Sequence, residues 1–121
     1  MDKWEAIHSF WASFSVSAYE ENSVPDLDDV IFPYITYEAV DSGFGDDVTG
    51  SASIWTRSMS WLSADTLSNT IHDRLKNGGV CIPYDGGIIW MTAGSPFAQS
   101  LGDPEDDKIK RKVLNVDYHF A

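Results

Sequence analysis

The three histidines are the first candidates for acid–base chemistry, because imidazole is the side chain that gains and loses a proton near neutral pH. His8 and His72 fall in segments with amphipathic helical spacing, and His119 alternates outward near the end of the last apolar segment. A catalytic histidine also needs a nucleophile and an orienting acid. The spacing supplies neither, so we predict surface or boundary positions for all three.

Nucleophile and phosphate-binding patterns are equally weak. No Gly-x-Ser-x-Gly occurs, and Cys81 lies in a short apolar segment, where we expect a buried, inert thiol. Gly43-Phe44-Gly45 lacks a third glycine at the dinucleotide spacing and precedes a strand pattern instead of a helix. We therefore predict no catalytic and no cofactor-binding residues, and thus no enzyme.

An acidic cluster near the end of the chain is the one candidate for metal binding. It consists of Asp103, Glu105, Asp106 and Asp107. The cluster lacks the regular alternation and central glycine of an EF-hand calcium loop. We expect a solvated acidic turn and no metal site.

The charge is strongly negative and unevenly spread. The formal net charge is −11, and no Lys or Arg occurs between Lys3 and Arg57. Because DNA affinity comes largely from Lys and Arg that neutralise phosphates, tight nucleic-acid binding is disfavoured. The one basic cluster contains Lys108, Lys110, Arg111 and Lys112 and directly follows the acidic cluster.

The remaining composition predicts one domain over residues 1–121. The lone Cys81 cannot form an internal disulfide, and no secretory hydrophobic segment is evident, so we expect folding in a reducing cytoplasm. No apolar run approaches the roughly 18 residues of a membrane span, so we expect no membrane association.

The periodicity predicts a helix, an irregular arm and a hairpin in the first half of the chain. Trp4, Ile7, Trp11 and Phe14 form a helical stripe over residues 2–15, with Asp2 as N-cap. Residues 16–31 lose this period and read as an arm that lies on its own subunit or reaches a neighbour. Alternating segments at 33–40 and 48–58 predict two strands around the loop Asp41–Asp47.

The second half predicts a helix and three strands. The helix covers residues 63–77, with Ser63 as N-cap and with Asn77 and Gly78 at its end. Strands at 80–84 and 88–93 flank Asp85-Gly86-Gly87, which favours a tight hairpin turn. An irregular loop over 93–107 and a strand over 109–120 complete the chain. The predicted fold class is α+β, with an antiparallel or mixed sheet of about four to five strands and two helices packed on one face.

The aromatic residues leave two interpretations open. The chain contains five Trp, and if Tyr37 and Trp55 face the core with the first helix, then Tyr34 must cover something else. One interpretation is a single core plus at least one intermolecular patch. The other is a two-sided sheet covered by both helices and the arm.

Several short motifs, in this order, resemble a family of phage morphogenesis proteins. They are the aromatic first helix, Val24-Pro25-Asp26, Pro33-Tyr34-Ile35-Thr36-Tyr37-Glu38, Ser53-Ile54-Trp55-Thr56-Arg57-Ser58-Met59-Ser60-Trp61, Tyr84-Asp85-Gly86-Gly87-Ile88-Ile89-Trp90, Gly94-Ser95-Pro96-Phe97-Ala98-Gln99 and Asp103-Pro104-Glu105-Asp106-Asp107. Together they run along nearly the whole chain. The chain resembles the tail terminator proteins of long-tailed bacteriophages and prophages, also called tail completion or head-to-tail joining proteins.

This resemblance implies a structural virion protein at the head–tail junction, assembled in the bacterial cytoplasm. It implies a homo-hexameric ring that ends the tail tube, binds the tail-tube protein and the head-completion (stopper) protein, and lets DNA pass without specific binding. The alternatives are another connector component, either a stopper or a tail-tube subunit, and, from other classes, an acidic DNA-mimic inhibitor or a small enzyme.

Two groups of residues are the candidate sites in such a ring. Acidic loop residues facing the lumen would repel passing DNA: Asp41, Asp46, Asp47, Asp103, Glu105, Asp106 and Asp107. Polar contacts between subunits would come from another set: Arg57, Trp61, Lys110, Arg111 and Lys112. For the second set, a charged strand entrance exposed to water is the alternative.

Overall fold

The computed structural model describes residues 1–41, 45–103 and 105–121, and these contain two α-helices and six strands. Short 3₁₀ turns occupy Ala12–Phe14 and Leu27–Asp29. The main elements in chain order are α1 (Lys3–Trp11), β1 (Ser17–Glu20), β2 (Tyr34–Tyr37), β3 (Asp47–Arg57), α2 (Leu62–Leu75), β4 (Val80–Tyr84), β5 (Gly87–Gly102) and β6 (Ile109–Phe120).

All six strands form one mixed sheet in the order β1-β2-β3-β6-β5-β4. β1 and β2 are parallel, and every other neighbouring pair is antiparallel. The fold is therefore α+β, and the sheet is larger than the four to five strands that the sequence predicts. The additional strand is β1, which lies inside the predicted arm 16–31. Its four residues are too few to show a clear alternation of apolar and polar side chains.

β5 is much longer than the predicted strand 88–93. It continues through most of the predicted loop 93–107 and pairs with β6 as far as Gly102, with a shift of register between Ala93 and Ala98. The shift is a bulge that contains Gly94 and Pro96, two residue types that normally indicate a break in a strand. The Asn115 side chain donates a hydrogen bond to the Pro96 carbonyl at 2.8 Å and so satisfies a bulge acceptor.

Both helices differ in extent from the sequence prediction. α1 begins with a capping box, in which the Asp2 carboxylate accepts from the Glu5 amide at 2.8 Å. It ends at Trp11 instead of residue 15, because the chain tightens into a 3₁₀ turn and then enters the left-handed region at Ser15. Ser63 lies inside α2 and not at its N-cap, which is Trp61.

One face of the sheet, called the core face here, forms the core together with the helices. α1 contributes Ala6, Ile7, Phe10 and Trp11, and α2 contributes Ala64, Ile71 and Leu75. They share one buried cluster with alternating sheet residues, namely Ile35, Tyr37, Ala52, Ile54, Ile82, Ile89, Met91, Leu114, Val116, Tyr118 and Phe120. Neither helix of the described chain is long and apolar enough to span a membrane.

Trp55 does not share the face of Tyr37, contrary to the arrangement considered from the sequence. The β2–β3 register places Trp55 opposite Tyr34, whereas Tyr37 lies opposite Ala52 on the core face. Because successive side chains alternate between the two faces, Tyr34 and Trp55 lie together on the second face, called the open face here.

Tyr118 makes the stability of the fold sensitive to alkaline pH. Its side chain is fully buried, its hydroxyl accepts a hydrogen bond from the Trp11 indole at 3.1 Å, and burial raises its pKa above the ordinary value. An unfolded tyrosine ionises near pH 10, while the buried Tyr118 stays protonated. The contribution of Tyr118 to the free energy of unfolding is therefore fully present below about pH 10 and is lost as the pH rises further.

We expect the free energy of unfolding to fall above about pH 10 by up to roughly 1.4 kcal/mol per pH unit for this one group. Urea unfolding across this range measures the slope. Tyr118→Phe should flatten the slope, because it removes the ionisable group. At neutral pH the same change should cost about 1–3 kcal/mol, because the Trp11 N–H loses its partner. A slope unchanged by Tyr118→Phe would contradict this assignment.

Candidate interaction surfaces

The open face carries a row of stacked side chains that crosses four strands. Tyr19, Tyr34, Trp55 and Arg111 form this row, called the aromatic ladder here. Tyr34 meets Tyr19 edge-on at 6.0 Å and stacks on Trp55 at 6.1 Å with the rings 12° apart. The Arg111 guanidinium lies over the Trp55 ring at 4.9 Å. Strand register explains the row, because Trp55 is the partner of Tyr34 on β2 and of Arg111 on β6.

Two hydroxyls fix the last two members of the ladder, Trp55 and Arg111. The Trp55 indole donates to the Thr36 hydroxyl at 3.0 Å, and the Arg111 Nε donates to the Ser53 hydroxyl at 3.0 Å. Both hydroxyl-bearing residues are buried. The guanidinium is therefore held at its Nε and against the indole, which limits its rotation and leaves its terminal nitrogens to bind other groups.

A recess of about 170 Å³ opens beside Arg111 and is called the Arg111 recess here. It is lined by Trp55, Leu101, Gly102, Asp103, Ile109 and Arg111. Leu101 is 48% exposed at its rim. This recess is not evident from the sequence, because Leu101 falls in a segment predicted to be a loop.

Arg111 makes no ion pair with any carboxylate in the described parts of the chain, although the net charge is −11. The neighbouring Asp103 instead accepts hydrogen bonds from the amides of Glu105 and Asp106 at 2.8 and 3.2 Å. The recess thus combines apolar walls with an oriented guanidinium. Such a site suits an aliphatic side chain flanked by a carboxylate.

The basic residues predicted to form one contact between subunits are divided between the two faces. Arg111 lies on the open face, while Lys110 and Lys112 point the other way because they precede and follow it on β6. Lys112 binds Asp65 of α2 at 2.6 Å. Lys110 is buried, donates to the Asp107 carbonyl and lies 5.8 Å from the centre of the Trp61 ring.

Arg57 also has a partner within the chain. Its guanidinium lies 3.5 Å from the Asp106 carboxylate, and both side chains are partly exposed. Such a pair typically contributes 0–1 kcal/mol and can rearrange when another subunit binds. The assignment of Arg57, Trp61, Lys110, Arg111 and Lys112 to a subunit interface stays a prediction.

The first acidic loop is tied to the body of the domain at both ends. Lys3 donates to Asp41 at 2.7 Å, and this hydrogen bond raises the pKa of the lysine. The Asp46 carbonyl accepts from the Phe120 amide at 3.0 Å, and the Asp47 carboxylate lies 2.5 Å from His119. The centre of the loop, residues 42–44, lies outside the described residues, and with it most of the Gly43-Phe44-Gly45 motif.

The two acidic loops lie at opposite ends of the β3–β6 strand pair. Asp47 is opposite His119 at one end, and Arg57 is opposite Ile109 at the other end, where the Asp103–Asp107 turn begins β6. Ten residue steps separate these ends, which corresponds to about 33 Å of strand. The loops are therefore two separate acidic surfaces.

His119 stands in a row of acid, imidazole and hydroxyl on the open face. Its Nδ1 lies 2.5 Å from Asp47, its Nε2 lies 3.4 Å from the Thr92 hydroxyl, and its ring lies 4.7 Å from that of Trp90. The hydroxyl lies beyond the ordinary 2.6–3.2 Å reach of a general base. We assign this row a structural role, in which its side chains join β3, β5 and β6. The row is not evident from the sequence, because Asp47 and Thr92 lie 72 and 27 positions from His119.

The other reactive groups have distinct surroundings. His8 hydrogen-bonds the Tyr37 hydroxyl at 2.8 Å, and His72 packs on Phe97 with ring centres 4.8 Å apart. Cys81 is exposed, so the prediction of a buried thiol is wrong. On edge strand β4, Ile82 points inward and its neighbours point outward. In the described residues, no three His, Cys, Asp or Glu side chains form a group that could hold a metal ion.

The fold is similar to that of a chain from a solved particle. Its structure is described as "Virion of native gene transfer agent (GTA) particle"; the TM-score is 0.66 and the sequence identity is 13%. The match covers 98% of this chain and 93% of the other. At this identity the likeness shows a shared fold. No protein-family model matches the chain, and no curated protein sequence matches it.

Proposed function

We propose that this chain is a structural protein of a phage-like particle. The observation that carries the proposal is the shared fold with a chain of a gene transfer agent virion over 98% of the length. The motifs that resemble tail terminators support the same class from the sequence. On the open face, Trp90 is 40% exposed and Leu101 is 48% exposed, which gives such a protein a surface for contacts with other subunits.

Within this class, we propose the role of tail terminator. In this role the chain forms a homo-hexameric ring at the head–tail junction of the virion, assembled in the bacterial cytoplasm. One surface of the ring ends the tail tube and the other receives the stopper protein of the head. Two distinct acidic ends on each subunit suit a ring with two distinct partners, because each end can present its own pattern of charge.

The test is to purify particles from cells that produce this chain and from cells that lack it. Mass spectrometry should find the chain in the particles, and electron microscopy should show heads and tails that fail to join when it is missing. Restoring the gene in trans should restore joined particles. Joined, DNA-delivering particles without the chain would reject the terminator role, and absence of the chain from intact particles would reject the structural class.

We also propose that the acidic loops line or border the channel, where their charge keeps passing DNA from binding. The best residues for a test are Glu105 and Asp107. They are exposed, and among the described residues their side chains make no ion pair or hydrogen bond. Their substitution therefore leaves the pairs of Asp41, Asp47 and Asp106 in place.

Glu105→Lys combined with Asp107→Lys should reduce DNA transfer on the order of tenfold, because the local field changes sign, while particle assembly stays normal. The matched control is Glu105→Gln with Asp107→Asn, which removes the charge without reversing it and should have a smaller effect. DNA transfer per assembled particle is the measurement. Equal transfer by the reversed and native chains would remove Glu105 and Asp107 from the channel.

A further inference from the structure

The segment 21–33, which joins β1 to β2 and is called the arm from here on, exposes apolar side chains among carboxylates. Leu27 is 56% exposed on the short 3₁₀ turn, and Ile31 is 77% exposed. Asp26, Asp28 and Asp29 lie beside them and are also exposed. Two exposed aliphatic side chains favour contact with an apolar surface. Because the segment carries carboxylates and no Lys or Arg, a complementary surface would also be basic.

The Arg111 recess has the complementary properties. Its apolar walls include Trp55, Leu101 and Ile109. Its charged groups are the Arg111 guanidinium and the Asp103 carboxylate, and the carboxylate already accepts two backbone hydrogen bonds. Its volume of about 170 Å³ equals roughly five to six times a water's share of the liquid, which is room for one aliphatic side chain. Apolar fit and opposite charge therefore match it to Leu27 and its aspartate neighbours.

The two surfaces lie at different places on the sheet, so a contact between them joins two copies of the chain. The arm joins β1 to β2 at one edge of the sheet, and the recess lies where β3, β6 and β5 meet, toward the other edge. No residue of the arm lines the recess of its own chain. Two different complementary patches join copies either reciprocally, as a two-fold dimer, or head to tail, and the head-to-tail arrangement forms a ring if the rotation closes. The ring of the proposed function selects the head-to-tail arrangement.

We propose that Leu27 of one copy binds in the Arg111 recess of the next copy, with Asp26 or Asp28 pairing with Arg111. The proposal deepens the ring-forming role and rests on the proposed function, since a ring requires such a repeated contact. In this contact, the exposed arm of one copy covers the exposed Arg111 recess of the next. The stacking of Arg111 on Trp55 and its bond to Ser53 orient the guanidinium before the partner arrives, which lowers the entropy cost of binding.

Disulfide cross-linking between two versions of the full chain tests the contact. In a Cys81→Ser background, one version carries Leu27→Cys and the other, with a different tag, carries Leu101→Cys. Oxidation of the mixture should give mainly the mixed Leu27–Leu101 dimer. Met59→Cys is the matched control for Leu101→Cys, because Met59 is an apolar residue with 66% exposure outside the recess. It should cross-link to position 27 at background level.

A charge test examines the pairing of Arg111 itself. Arg111→Gln should weaken self-association at least tenfold in sedimentation velocity, because the aspartate of the arm loses its partner inside a buried contact. Lys108→Gln removes the same charge from an exposed neighbour and should change association less than about threefold. Circular dichroism should show both variants folded, since neither position lies in the apolar core.

The outcomes separate this contact from the proposed function. Rings without the mixed cross-link, or equal effects of Arg111→Gln and Lys108→Gln, would reject the contact and leave the virion role standing. Cross-linking of position 101 to a different protein would also reject it, as would a chain that stays monomeric at every accessible concentration. Particles that lack the chain would reject the virion role, whatever the cross-links show.

Discussion

Trp11→Ala is expected to lower the free energy of unfolding by about 3–5 kcal/mol, the usual cost of truncating a buried aromatic residue. The Trp11 side chain has no solvent exposure. It packs edge-on against Phe10 at 5.0 Å, stacks on Tyr37 at 6.5 Å and donates its N–H to Tyr118. Because domains are typically stable by about 5–15 kcal/mol, this one change removes a large share of the total.

The same helix provides the control for this prediction. Trp4 lies two turns earlier on α1 and is 44% exposed, so Trp4→Ala should cost less than about 1 kcal/mol. Urea unfolding followed by far-ultraviolet circular dichroism compares the two variants and is independent of how many tryptophans remain. Similar losses for Trp4→Ala and Trp11→Ala would mean that α1 does not pack as described.

Gly79→Ala is expected to cost about 3 kcal/mol or more, through strain in the turn that leads into β4. Gly79 has φ = +82°, and a Cβ there would lie 2.2 Å from the Met91 carbonyl oxygen and 2.8 Å from the Trp90 Nε1. The carbonyl oxygen belongs to the backbone of β5, so the strand itself must move. The clash therefore adds to the ordinary cost of a side chain in the left-handed region.

Gly78 is the matched control for Gly79. It also has a positive φ, +98°, but a Cβ there would meet no atom within 4 Å. Gly78→Ala should cost only about 1–2 kcal/mol, the backbone term alone. The difference between the two variants in chemical denaturation measures the close approach to β5. No difference would show that the backbone at Met91 can yield at little cost.

The sequence predicted local structure best where the interacting residues lie within a few positions of each other. The Asp2 and Glu5 capping box and the left-handed Asn77 after α2 are local in this sense. The extent of the sheet is not local. β1 becomes a strand because it pairs with β2, and β5 passes through a glycine and a proline because the Asn115 side chain satisfies the bulge.

The candidate site was harder to predict than the fold because it depends on register. Trp55 and Arg111 meet only because β3 and β6 pair in one particular alignment across 56 positions of sequence. The basic residues 110–112 are adjacent in the sequence and were predicted to form one contact. In a strand, however, successive side chains point to opposite faces, so the middle residue lies on the face opposite to its two neighbours. The Arg111 recess also needs Leu101, whose strand the sequence did not reveal.

The long β3–β6 pairing has a mechanical consequence. Its register runs without a break from Asp47 opposite His119 to Arg57 opposite Ile109. A pull along the strands, applied between its two ends, loads all of these backbone hydrogen bonds at once, whereas a pull across the strands would open them one after another. A subunit that holds one partner at each end would therefore resist tension along its stiffest direction.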